Sequence, residues 1–169
     1  PTIPAIYDRR ASAGVGRYHE FDSWRVAGMR HADHKGDRPG RPDVAVRGRA
    51  HSFAQTLGNN LTHEVKPYEV EILVVGIHDD GSDMFKVLYD GTLSDEHGVG
   101  AIGGQADDLV EHLRGGYEDG LSYEAALELA KAAFRSLNGE DIEGWEGAVL
   151  DKSLGRRTFR RLTVDELAD

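Results

Sequence analysis

The chain has 169 residues, 39% of them hydrophobic, no cysteine, and 30 acidic against 20 basic side chains for a formal charge of -10. That length supports one domain with a real core, and the missing cysteines exclude disulfides and thiolate metal sites. The negative field disfavours a phosphate backbone as partner. No window approaches the roughly eighteen apolar residues of a membrane span, and the first residues show no signal-peptide pattern, so the expectation is a cytosolic protein that binds neither nucleic acid nor membrane.

Within residues 1–16, Ile3, Ile6 and Tyr7 precede the small-residue run Ala11-Ser12-Ala13-Gly14-Val15-Gly16, which suits a strand packed closely beneath a helix. Phe21, Trp24, Gly28, His31 and Ala32 keep a helical period from Tyr18 to about Asp33, predicting a first helix. Lys35 to Asp43 holds two prolines and two glycines and is a loop. Ala50, Phe53, Ala54, Leu57 and Leu61 form one apolar stripe, predicting a second helix that lies on the sheet.

The central strand is Lys66 to Gly76, with Pro67 at its entry because proline cannot donate to a ladder. Tyr68, Val70, Ile72 and Val74 point one way, and Glu69, Glu71, Leu73 and Val75 the other. His78 to Asp83 supplies turn chemistry and Met84 to Tyr89 a second strand, so residues 67–90 read as a hairpin closed by Asp90-Gly91. Val99, Ala101 and Ile102 suggest a short strand ending at Gly103-Gly104. Ala106, Leu109, Val110 and Leu113 then predict a helix stopped by Gly115-Gly116. Ser122 is a suitable N-cap for another, with Glu124 in its first turn, Leu127, Ala130, Phe134 and Leu137 as its buried face, and Asn138-Gly139 as its end. A last hairpin joins Trp145–Leu150 to Thr158–Thr163 around Leu154-Gly155, and Thr163 with Glu166 has capping-box spacing. Helix pairs between antiparallel hairpins are not βαβ alternation, so the fold class is α+β, built in four layers.

Several patterns invite chemistry and then fail. Gly98 to Gly103 matches G-x-G-x-x-G, but the polar, turn-like residues 92–97 replace the strand a dinucleotide site needs, and no cofactor is expected. His31 and His34 flank Asp33 without a third ligand, and Asp79 to Asp83 lacks the closing glutamate of a calcium loop, so no metal is expected. Ser12, Ser23, Ser52, Ser94, Ser122, Ser136 and Ser153 have no oxyanion-hole motif around them. Glu69 and Glu71 share a strand face and fit a solvated edge better than a catalytic pair. Arg157 and Arg160 face opposite sides of a strand, so the arginines of 156–161 form no continuous phosphate stripe and are expected to meet acidic neighbours, in this chain or another copy.

Tyr7-Asp8-Arg9, the run Val15-Gly16-Arg17-Tyr18-His19-Glu20-Phe21-Asp22, Ala54-Gln55-Thr56-Leu57-Gly58, Lys66-Pro67-Tyr68-Glu69-Val70-Glu71, Tyr89-Asp90-Gly91 and Gly103-Gly104 occur in collinear order. With Ala148-Val149-Leu150-Asp151 and Arg156-Arg157-Thr158-Phe159-Arg160-Arg161, the series resembles the proteasome α subunit of actinobacterial type. The resemblance implies a four-layer αββα sandwich of the N-terminal-nucleophile hydrolase type over residues 1–169. It also implies a gating tail, a leading helix and a first hairpin that this sequence does not contain, leaving one sheet with an open edge. It further implies a non-catalytic subunit in a seven-membered ring, partnered by other α subunits, proteasome β subunits and a ring-shaped ATPase activator, that controls substrate entry for protein degradation. The activator-docking pocket position falls on Thr2, a neutral residue where the family carries a lysine. Two alternatives stay open: an amidohydrolase acting through Thr2 after removal of Pro1, although the family places its catalytic lysine on a strand and Lys35 sits in a loop, and a stand-alone α+β binding module using Val70 and Ile72.

Overall fold

The computed structural model describes residues 3, 5, 9–16, 46–63, 70–139, 142 and 144–168. Its larger sheet contains β1 (Arg10–Gly16), β2 (Val70–His78), β3 (Gly81–Val87) and β4 (Leu93–Glu96), in that spatial order and antiparallel throughout. Alternation along β2 buries Val70, Ile72 and Val74 almost completely. Helix α1 (Val46–His63) lies on that face, where Val46, Ala50, Phe53 and Ala54 meet the β2 residues together with Phe85 and Val87 of β3. Each fully buried Val or Ile contributes about 1.5–3 kcal/mol of burial, so this helix-on-sheet layer is the principal core. The predicted second helix and its seat on the sheet hold over Ala50, Phe53 and Ala54, and the inward face of the central strand over Val70, Ile72 and Val74; the strand entry at Pro67 and Tyr68 lies outside the described residues.

β1 pairs with β2 so that Ser12, Gly14 and Gly16 stand opposite Val74, Ile72 and Val70. Its small side chains therefore occupy the helix-facing side of the sheet, as the composition of the run implies. Asp79 and Asp80 form the tight turn between β2 and β3, and β3 starts at Gly81, earlier than the apolar residues from Met84 indicate. The next turn has Gly91 at φ 83° and the Asp90 carboxylate accepting the Thr92 N–H at 2.8 Å.

Two expectations are corrected. The short strand is Leu93–Glu96, inside the stretch read as a turn, whereas Val99, Ala101 and Ile102 form an irregular connection. Pairing decides the outcome: Leu93 to Glu96 find partners in Val87 to Met84, while Gly98 at φ 74° turns the chain off the ladder. Val99 and Ala101 are nonetheless buried, so their apolarity serves packing rather than pairing.

The second correction concerns the helix pair α2 (Ala106–Gly116) and α3 (Tyr123–Asn138). Leu109 and Ala133 pack with Ala101, supported by Val110, Leu113 and Leu137. A Cβ on Gly116 would stand 2.5 Å from Leu129 Cδ1, so this glycine permits a close helix approach as well as ending α2. Ser122 caps α3 by accepting the Ala125 N–H. Phe134, expected inside, is 43% exposed, and Ala133 and Lys131 are the buried residues of α3. The face toward α2 is centred one residue, about 100°, away from the apolar stripe.

The last hairpin is β5 (Ala148–Leu150) and β6 (Phe159–Arg161), antiparallel and joined through a 3-10 turn at Lys152–Leu154. One helical turn, α4 (Val164–Leu167), follows with the full Thr163–Glu166 capping box. Helices and antiparallel strands are thus mixed as an α+β chain requires. The predicted first helix, Tyr18 to Asp33, and the loop after it lie outside the described residues.

Candidate functional site

Of the sequence-derived site residues, Thr2, His31, His34, Lys35 and Glu69 lie outside the described residues. Ile3, next in the chain to Thr2, is described and is held at both backbone groups. Its N–H donates to Glu146 Oε1 at 3.3 Å and its carbonyl accepts from Arg161 at 2.7 Å, while Arg161 and Glu146 pair directly at 2.6 Å.

Arg160, on the other face of β6, reaches Glu166 with two contacts of 2.9 and 2.8 Å. The same carboxylate accepts from the Tyr123 hydroxyl at 3.2 Å and from the Thr163 N–H at 2.8 Å, and the guanidinium lies 5.9 Å from the Tyr123 ring centroid. The Arg160 guanidinium first, and then the Thr163 N–H, lower the Glu166 carboxyl to about 2. Its partnership with Glu166 in turn raises Arg160. Beside this corner Lys131, 3% exposed, donates to the Ala168 carbonyl at 2.8 Å and stands 3.5 Å from Glu128. Together these contacts fix α3, β6 and α4 to one another. Arg160 and Arg161 meet acidic neighbours in this chain, as expected for the arginines of 156–161, while Arg157, read as on the opposite strand face from Arg160, precedes β6.

The glycine-rich connection is equally committed to structure. Gly103 donates its N–H to Glu71 Oε2 at 2.9 Å, a Cβ on Gly98 would meet the Tyr117 ring at 2.6 Å, and one on Gly100 would meet the Met84 sulfur at 2.8 Å. A strand does precede the first glycine, which removes the objection raised from sequence. The dinucleotide fit fails on other grounds: a carboxylate occupies the turn, and Asp107 and Asp108 fill the first turn of α2, where a phosphate would need positive potential. Glu71 is thereby a loop anchor rather than half of an acid pair.

The remaining candidates are local. Asp79 binds Arg9 at 2.9 Å, and His78 lies 3.7 Å from Asp83. Among the described residues no group of three or more His, Asp or Glu side chains could hold a metal, and no helix is long and apolar enough to cross a membrane. Ser94 donates to Glu96 at 2.7 Å, with Lys86 Nζ at 3.9 Å from the same oxygen, a cross-strand polar cluster. Ser52 and Ser136 donate to helix carbonyls, and Ser122 caps α3. The arrangement holds elements in register and presents surfaces. No local pattern marks the roles of Lys131, Tyr123 and Glu146, since each depends on a partner at least fifteen residues away.

Comparison with known proteins agrees with this structural character. Residues 5–150 match the family model described as Proteasome subunit. The Proteasome subunit alpha of Kineococcus radiotolerans is 44% identical over 178 residues, covering 98% of this chain and 75% of the relative. That of Acidimicrobium ferrooxidans is 45% identical over 173 residues, covering 99% and 73%, and that of Xylanimonas cellulosilytica is 42% identical over 174 residues, covering 95% and 71%.

Proposed function

The chain belongs to the proteasome subunit family, and from that membership we propose how it is built and placed. It is an α-ring subunit, a structural component of proteolysis, and the catalytic role belongs to β subunits. The observation that carries this is the α-subunit likeness along nearly the whole chain. Among the described residues, Ser122, Glu71 and Arg160 of those singled out by sequence serve as a helix cap, a loop anchor and an ion-pair partner.

In the proposed arrangement residues 1–169 form one α-subunit domain in which the two sheets face each other between α1 on one side and the α2–α3 pair on the other, the four-layer sandwich of N-terminal-nucleophile hydrolases. The α1-covered sheet and the separate helix-pair core support it. Seven copies close a ring that stacks on β subunits, governs entry of protein substrates and receives a ring-shaped ATPase activator in the cytoplasm. Thr2 marks the docking position for the activator's carboxylate tail. The neutral side chain there makes docking less dependent on charge than a lysine would.

Peptide hydrolysis tests the functional assignment. The full chain alone should cleave nothing, and cleavage should appear only with active β subunits. Hydrolysis by the chain alone that disappears in Thr2→Ala would overturn it.

A further inference from the structure

Resting on the α-ring assignment above, we propose that neighbouring copies join head to tail through two unlike surfaces of this chain, the tip of the β5–β6 hairpin of one copy seating on the α3–α4 face of the next. The receiving face is an apolar stripe that the fold leaves open. Tyr123, Leu127, Ala130 and Phe134 recur at i, i+4, i+7 and i+11 and so share one side of α3. Yet Tyr123 and Phe134 are 37% and 43% exposed, and Val164, two residues before the Glu166 that accepts from the Tyr123 hydroxyl, is 83% exposed. Phe134 meets Trp145 edge-on at 5.6 Å and is nonetheless 43% exposed. A residue pattern of core type, uncovered at both ends, is where a partner gains most from burial.

The charge around that stripe is negative. Glu124, Glu128 and Asp165 are exposed, while the nearby cations are engaged inward, Arg160 by Glu166 and Lys131 beneath the Ala168 carbonyl. The hairpin tip has the opposite character. Leu154, 47% exposed, projects from the turn, flanked by exposed Lys152, Arg156 and Arg157. An apolar knob ringed by basic side chains matches an apolar stripe ringed by acidic ones, in polarity and in sign.

The two surfaces belong to different ends of β6: residues 152–157 precede the strand and α4 follows it. Lys152 also ties the tip to the β2–β3 turn through the Asp79 carbonyl at 3.2 Å. The occupant of the face is therefore the tip of a second copy. A contact between unlike patches is heterologous, and repetition of one closes into a ring when the rotation permits, which an isologous contact would not do.

The chain has no cysteine, so Leu154→Cys combined with Val164→Cys introduces this chain's only thiols, both at exposed positions outside the core. The full chain carrying both substitutions, assembled with β subunits, is treated with a short bismaleimide and resolved under denaturing conditions. A ladder of covalent multimers is expected from the double variant, and neither single variant should form one. Arg156→Glu with Arg157→Glu should raise the concentration needed for assembly roughly tenfold, and adding Glu124→Arg with Glu128→Arg to the same chain should restore it. Rings seen by native mass without a ladder, linkage within one copy, equal dimer formation by either single variant, or no charge rescue would overturn the proposal and leave the α-ring assignment standing. Absence of rings in the unsubstituted chain with β subunits would instead overturn the ring assignment, and this contact with it.

Discussion

Gly76 sits in β2 under the first residue of α1, and the spacing there decides the sign of a small substitution. A Cβ at Gly76 would stand 2.2 Å from Val46 Cγ2 and 3.2 Å from Arg10 Cγ. Carbon atoms prefer roughly 3.5–4.0 Å, so the first contact overlaps by well over an ångström. Val46 is 5% exposed, and its β-branched side chain has little rotamer freedom in a helix. Without this neighbour, Gly76→Ala would stabilise by about 0.4–1 kcal/mol through the unfolded chain; with it, the substitution should cost about 1–3 kcal/mol as α1 is pushed off the sheet. Val46→Ala alone should cost about 2 kcal/mol. In the double variant the new methyl enters the space Val46 vacates, so the pair should be no less stable than Val46→Ala alone, a favourable coupling of about 1–3 kcal/mol. Urea unfolding of the four chains measures this directly. A neutral Gly76→Ala, or costs that simply add in the pair, would refute the α1 seat on β2.

The Glu166 carboxyl, held near 2 against an ordinary 4.5 by Arg160 and Thr163, contributes stability that is present above pH ~4.5 and lost as pH falls toward 2. Thermal melting should show the unsubstituted chain ahead of Glu166→Gln at pH 6 with the gap closing over that interval; a gap independent of pH would contradict the assignment. Ser122→Ala removes the cap of α3 and should cost about 1 kcal/mol in urea unfolding, with Ser122→Asp recovering most of it. Gly98→Ala combines φ +74° with a Cβ 2.6 Å from the Tyr117 ring. It should lower the melting temperature more than Gly104→Ala, where no heavy atom lies within 4 Å.

What was legible in the sequence is what local periodicity encodes. Val70, Ile72 and Val74 alternate, Ala50, Phe53 and Ala54 repeat at helical spacing, and these patterns meet in one cluster. Ser122 and the Thr163–Glu166 box are short-range hydrogen-bond chemistry and appear where expected. What failed depended on partners distant in the chain. Leu93 to Glu96 look like a turn until Met84 to Val87 supply a ladder, and no local pattern signals that Lys131 is buried beneath the Ala168 carbonyl. The stripe through Phe134 predicts a buried face, yet Phe134 is 43% exposed, because the face α3 turns to α2 is set by the close approach of Leu129 to Gly116. The family, by contrast, was carried by collinear short motifs spread along the chain, a signal independent of any contact. Of the arginines of 156–161, Arg160 and Arg161 meet acidic neighbours as expected, whereas Arg157, read as lying on the strand opposite in face to Arg160, precedes β6.

The α-ring assignment makes assembly the property to measure, and native mass spectrometry of the full chain mixed with proteasome β subunits does so most directly. Complexes containing several copies of this chain together with β subunits are expected. A chain that stays monomeric while the β subunits assemble without it would contradict the account.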